Sequence, residues 1–274
     1  MEKLKISEGE AIIYTYAPSQ RRLPTFVFVN ALTGSIAHWE HAEIGPALRR
    51  KGFGTLAWNF RGQEGTAFSP ASALGPGQIV ADLVRIVAHC APPKPIYTGL
   101  SIGGLFAAQA IRAGAPVSGL VLINTLRKPT LRLDWINRSV ANLAAVGGGR
   151  LVGEVYAPVL LNPDQLSATR PTAFAPEPYQ AMEPSSGLYR LMQGSLETDW
   201  AFPWSTLAVP TLVMTGLYDR LFRVADDVAE LTAIMPNARS VEMADAGHMI
   251  PVERPREFAQ SVAKFAAECI ENLA

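Results

Sequence analysis

The chain has 274 residues with 24 basic and 24 acidic side chains, and 49% of it is apolar. A sizeable core is available, and intrinsic disorder is excluded because it needs few apolar residues and a strong net charge. Nucleic-acid binding through bulk charge is excluded too, since no basic excess exists to neutralise phosphates. Length allows one large α/β domain or two small ones. Cys90 and Cys269 are too few for a disulfide framework and suit a reducing compartment. The opening run MEKLKISEGE lacks the apolar centre of a signal peptide. The longest uncharged stretch, Trp200 to Tyr218, holds Pro203 and Pro210 and reads as a loop entering a buried strand, not a membrane span. The expectation is a cytoplasmic protein that takes a small-molecule substrate and has neither a membrane nor a nucleic-acid partner.

In chain order, the strand candidates are Thr25–Val29, Gly54–Trp58, Ile96–Gly99, Leu120–Ile123 and Thr211–Met214. Most are apolar on both faces, which suits a parallel sheet covered by helices on each side. Helical stripes lie between and after them: Ile79, Leu83, Ile86 and Cys90; Val224, Val228, Leu231 and Met235; Phe258, Val262, Phe265 and Cys269. Pro255 suits the first turn of the last helix, and Pro236 stops the one before. Such alternation predicts an open α/β fold. It breaks between Thr125 and Leu207, where Pro, aromatic and Met residues are frequent. Residues 125–207 are therefore expected to form a cap over a pocket, with a small core of their own. Residues 1–124 and 208–274 are expected to form the main body.

The sharpest chemical signal is Gly99-Leu100-Ser101-Ile102-Gly103, followed by Gly104, between a strand candidate and a helix candidate. Such a turn strains the backbone at the serine, and side chains at Gly99 and Gly103 would collide with it. It holds the Ser101 hydroxyl above the sheet beside a helix N-terminus that favours negative charge. A serine needs a base. His89 ends a helix stripe, and His38 and His41 read as a solvated helix face without a third metal ligand. His248 lies in a loop between a strand-like run, Ser240–Met243, and the last helix, where catalytic groups sit in such folds. The acid that would hold its tautomer is Asp219, after the strand TLVM, with Asp245 second. Asn124 closes the other strand-end position because it is no acid. There is no phosphate-binding loop, no paired Cys/His spacing, and no sign of a metal or cofactor.

Ser101, Asp219 and His248 follow the chain order of the α/β-hydrolase fold, and the chain resembles that superfamily from about Ile12 to Leu273. The likeness rests on the elbow G-L-S-I-G-G, on Gly216-Leu-Tyr-Asp219, and on the run Gly247-His-Met-Ile-Pro-Val-Glu-Arg-Pro255. It rests also on Asn59-Phe-Arg-Gly-Gln-Glu-Gly65, similar to the family's D-x-R-G-x-G turn with Asn for Asp. The resemblance implies a mostly parallel central sheet flanked by helices, and a helical cap inserted after the sixth strand and before the helix that leads to the seventh. After its third strand the family usually has His-Gly, whereas this chain has Asn30-Ala-Leu-Thr-Gly34. By position, the backbone N–H groups of Leu32 and Ile102 would hold an oxyanion, so side-chain identity need not destroy the hole.

The expected activity is serine hydrolysis of an ester, thioester or lactone in a small, largely apolar substrate, through Ser101, His248, Asp219 and an acyl-enzyme. Acyl transfer ranks second, because A-L-T-G looks like the matching loop of homoserine acetyltransferases. Carbon–carbon bond hydrolysis ranks third, since Leu100 replaces the polar residue usual there. A non-catalytic ligand receptor on the same scaffold is the alternative of a different class.

Overall fold

The computed structural model describes residues 1–174 and 176–271. The first half of the chain runs β1 (Glu2–Ser7), β2 (Glu10–Ala17), β3 (Thr25–Val29), α1 (Ile36–Trp39), α2 (Gly45–Arg50) and β4 (Gly54–Trp58). It continues with α3 (Pro76–Cys90), β5 (Pro95–Leu100), α4 (Ile102–Arg112) and β6 (Gly119–Ile123). The segment that follows holds α5 (Leu131–Leu160), α6 (Pro163–Thr169) and α7 (Gly187–Ser195). The chain then returns through β7 (Thr211–Gly216), α8 (Ala225–Ala233), β8 (Ala238–Met243), α9 (Ile250–Glu253) and α10 (Pro255–Glu271).

The eight strands form one sheet in the order β1-β2-β4-β3-β5-β6-β7-β8. From β4 to β8 every neighbouring pair is parallel. Strands β3, β4, β5, β6 and β7 are buried at every position, as double-sided coverage requires. Side chains alternate between faces. Val27 and Val29 pack with Leu83 and Ile86 of α3 and Phe106 of α4. Phe26 and Phe28 pack with Trp39, Leu48 and Phe258 on the opposite face. Each fully buried Phe contributes about 2–3 kcal/mol of apolar transfer. The antiparallel hairpin β1–β2 does not appear among the apolar runs of the sequence. Its burial alternates because it forms the sheet edge, and its turn uses Gly9 at φ 72°.

The segment after β6 differs from expectation in three ways. Its buried side chains, Leu133, Leu191, Trp200, Phe202, Trp204 and Leu207, belong to the same packed cluster as the α3–α4 face of the sheet. Among the described residues no separate core forms there. Of its aromatic and Met residues, Trp135, Phe174 and Tyr179 are exposed, while Tyr156, Met192 and Trp200 line the cavity that also holds Ser101. The helix expected before β7 is only a 3-10 turn, Trp204–Thr206. α5 is long but bent, with Gly148 at φ 65° and Pro158 inside it. Among the described residues no helix is long and apolar enough to cross a membrane.

Candidate active site

Registers Gly99↔Leu122, Leu100↔Ile123 and Ile123↔Met214 bring the carboxyl ends of β5, β6 and β7 to one rim. Ser101, Asn124 and Asp219 all follow those ends. Ser101 sits at φ 57° and ψ −125°, a backbone strain of about 1–3 kcal/mol for a residue with a side chain. Its N–H donates to the Ile123 carbonyl at 2.7 Å. The glycines beside it have a steric role. A Cβ at Gly103 would land on the Val29 and Asn30 carbonyls, and one at Gly99 on the Gly104 backbone.

His248 Nδ1 lies 2.7 Å from Asp219 Oδ2, and both residues are buried. Asp219 Oδ1 accepts the amides of Leu221 (3.2 Å) and Phe222 (2.9 Å). A carboxylate only accepts, so Nδ1 carries the ring proton and Nε2 of the neutral imidazole is the basic nitrogen. Burial pushes the Asp219 carboxyl up. The His248 ring that bonds it, the Phe222 amide and the Arg127 charge outweigh it and hold the group below the usual carboxylate range. The alternative acid, Asp245, faces outward and pairs with Arg254 at 2.7 Å.

Ser101 and His248 line one cavity of about 170 Å³, together with Leu32, Ile102, Arg127 and Phe222. The Ser101 hydroxyl does not hydrogen-bond His248 among the described residues. It accepts from Arg127 Nη2 at 2.8 Å. Leu32 and Ile102 line the cavity, and neither backbone N–H donates to an acceptor among the described residues. A larger hollow of about 440 Å³, beside Arg150, Glu154 and Phe174, contains none of these groups. The other histidines stand elsewhere. His41 and His89 are exposed, with His89 Nε2 3.1 Å from the Tyr14 hydroxyl. His38 is half-buried, not on a solvated face, and that burial lowers its pKa.

Both departures in the motifs meet in one neutral network. Asn30 Nδ2 approaches Asn59 Oδ1 (3.2 Å), Gln63 Oε1 (2.9 Å) and the Trp58 carbonyl (2.9 Å), while Trp39 Nε1 donates to Asn30 Oδ1 at 2.6 Å. Gln63 Nε2 donates to the carbonyls of Ala31 (2.9 Å) and Leu32 (3.0 Å), so the network holds the loop that carries the Leu32 amide.

A family model described as the alpha/beta hydrolase family matches residues 26–261. The chain belongs to that family. Membership classes it as a hydrolase enzyme, and its architecture is the α/β-hydrolase fold. The hydrolase is similar to 3-oxoadipate enol-lactonase 2 of Acinetobacter baylyi, 22% identical over 240 residues, covering 87% of each chain. Among solved structures it is similar to a thermophilic esterase from Thermogutta terrifontis, with TM-score 0.78, 20% identity and 98% and 99% of the two chains covered. It is also similar to the enol-lactonase of Burkholderia xenovorans, with TM-score 0.75, 22% identity and 94% and 97% covered.

Sequence reasoning gave no role to three residues of the hydrolase near this centre, one of them, Glu253, inside the Gly247–Pro255 run. Asn124, set aside as no acid, donates to the carbonyls of Gly247 (3.0 Å) and His248 (2.9 Å) and accepts the Gly216 amide at 2.9 Å. Glu253 accepts the amides of Gly247 and Met249, both at 2.8 Å, and that of Asn162 at 2.7 Å. Arg127 had no sequence signal, since Arg127-Lys128 looks like an ordinary basic pair. For Asn124 the available signal was position, directly after a strand on the rim that carries Ser101 and Asp219.

Proposed function

We propose that this hydrolase cleaves an ester, thioester or lactone bond of a small, largely apolar substrate with Ser101, His248 and Asp219. The observation that carries the reading is the buried 2.7 Å Asp219–His248 contact at a cavity shared with Ser101 and two undonated amides. The Ser101 side chain turns from Arg127 toward His248. Nε2 takes its proton as Oγ bonds to the acyl carbon, and the Leu32 and Ile102 amides receive the oxyanion. The imidazolium then protonates the leaving oxygen or sulfur, and the acyl group stays on Oγ. Water, deprotonated by His248, releases the acid. An esterase and enol-lactonases among the similar proteins support this bond class.

Ser101→Ala tests the reading. It should lower kcat on short p-nitrophenyl esters at least ~10³-fold while the melting temperature stays close to wild type. A fluorophosphonate should label wild type at Ser101. Wild-type turnover by the variant, or no labelling, would overturn the assignment. Product analysis with an added acceptor alcohol separates hydrolysis from acyl transfer.

A further inference from the structure

Arg127 is only 6% exposed, yet none of the ion pairs among the described residues includes it. Its guanidinium carbon lies 4.0 Å from the Phe222 ring centroid and 5.0 Å from that of Trp200. Nη2 donates to Ser101 Oγ at 2.8 Å and to the Asn124 carbonyl at 3.1 Å, while Nε is buried and has no partner. The nearest carboxylate in influence, Asp219, is already engaged by His248 and two amides. A buried charge without a counterion is expensive.

The molecule shows what such a group normally receives. Arg61, equally buried, uses Nε and Nη2 to grip both oxygens of Asp82, at 2.8 and 2.9 Å. Arg127 presents the same edge of its fork beside the nucleophile, with no carboxylate on it. Resting on the serine-hydrolase reading above, we propose that Arg127 is a specificity residue for a carboxylate on the acyl half of the substrate. The carboxylate would span Nε and Nη2, satisfying the orphan donor and drawing Nη2 off Ser101. The hydroxyl would then be free to turn to His248. The carboxylate belongs on the acyl half because Nη2 already touches the atom that will carry that half. The substrate class is a half-ester or lactone of a short dicarboxylic acid, with a largely apolar remainder facing Met192, Trp200 and Phe222.

The test compares monoethyl succinate with ethyl 4-methylpentanoate, in which an isopropyl group replaces the carboxylate. Wild type should favour the charged ester at least about tenfold in kcat/KM, the effect of a charge-assisted pair. Arg127→Gln should abolish the preference, and Arg127→Lys should restore part of it. Should Arg127→Gln fail to fold, wild type alone still decides. Succinate should then compete with ethyl 4-methylpentanoate, and 4-methylpentan-1-ol should compete at least about tenfold more weakly. Equal rates on the two esters, a preference for the neutral one, or turnover of neither would overturn the proposal. So would a preference that survives Arg127→Gln. Failure of the underlying serine reading looks different: Ser101→Ala would then turn over its preferred ester at the wild-type rate.

Discussion

His248 and Ser101 border the same cavity, yet their loops are held in unlike ways. Hydrogen bonds surround the histidine. Its N–H donates to the Leu160 carbonyl at 2.6 Å, its carbonyl accepts from Asn124, and its ring meets Asp219. Glu253 takes the amides on either side of it. The serine's backbone is bonded too, through its N–H to the Ile123 carbonyl, and glycines crowd it at a φ of 57°. Among the described residues, however, its side chain meets Arg127 and not His248. The difference teaches which part is free to change. The imidazole is fixed by its own partners, whereas on the mechanism proposed above the hydroxyl must leave Arg127.

Three variants or conditions break or sharpen that contrast. Asp219→Asn should have the largest effect. An amide at 219 can donate to Nδ1, moving the ring proton to Nε2, and kcat should fall ~10⁴-fold with Ser101 geometry retained. Steady-state kinetics with intact fluorophosphonate docking geometry in a crystal would check it. Glu253→Gln comes next. Three amides share a carboxylate that a carboxamide matches only in part, so stability should drop by about 1–3 kcal/mol, read by denaturant melts. Activity should fall with it, because the loosened loop is the histidine's. The equivalent loss should not follow from changes at exposed Asp245.

Acid should have the smallest effect. The Asp219 carboxyl lies below its unfolded value of 3.8, so it adds stability above that pH and loses it as pH falls through the folded value. The stability gap between wild type and Asp219→Asn should therefore narrow between about pH 5 and pH 3. A gap that widened on acidification would contradict the paired, ionised state.

Legibility in the sequence followed the range of the interaction. Strands β3 to β7 could be read because burial on both faces leaves unbroken apolar runs. The edge hairpin β1–β2 could not, since its alternation is mixed with charge. α5 was hidden because Gly147 to Gly149 and Pro158 break its apolar stripe. Ser101, Asp219 and His248 stood out because each has a distinctive turn around it. Asn124 and Arg127 did not, because their meaning lies in partners 123 and 26 positions away, and Glu253, though inside the Gly247–Pro255 run, has its Asn162 partner 91 positions away. Only the folded rim brings those atoms together. The expectation of a separate core above the sheet failed for a related reason: composition reports apolar content but not which surface it packs against.

The end of α5 has a consequence for how this enzyme can be re-engineered. Val159 accepts the Arg220 amide, Leu160 accepts that of His248, and Asn162 is bonded to both Glu253 and the Asp245 carbonyl. The end of α5 and the turn after it are therefore stitched to the loops that carry Asp219 and His248, and exchanging residues 125–207 wholesale for a relative's would loosen the His248 loop as well. Chimeras that graft new substrate preferences should keep residues 159–162 from the recipient and splice on the far side of that seam.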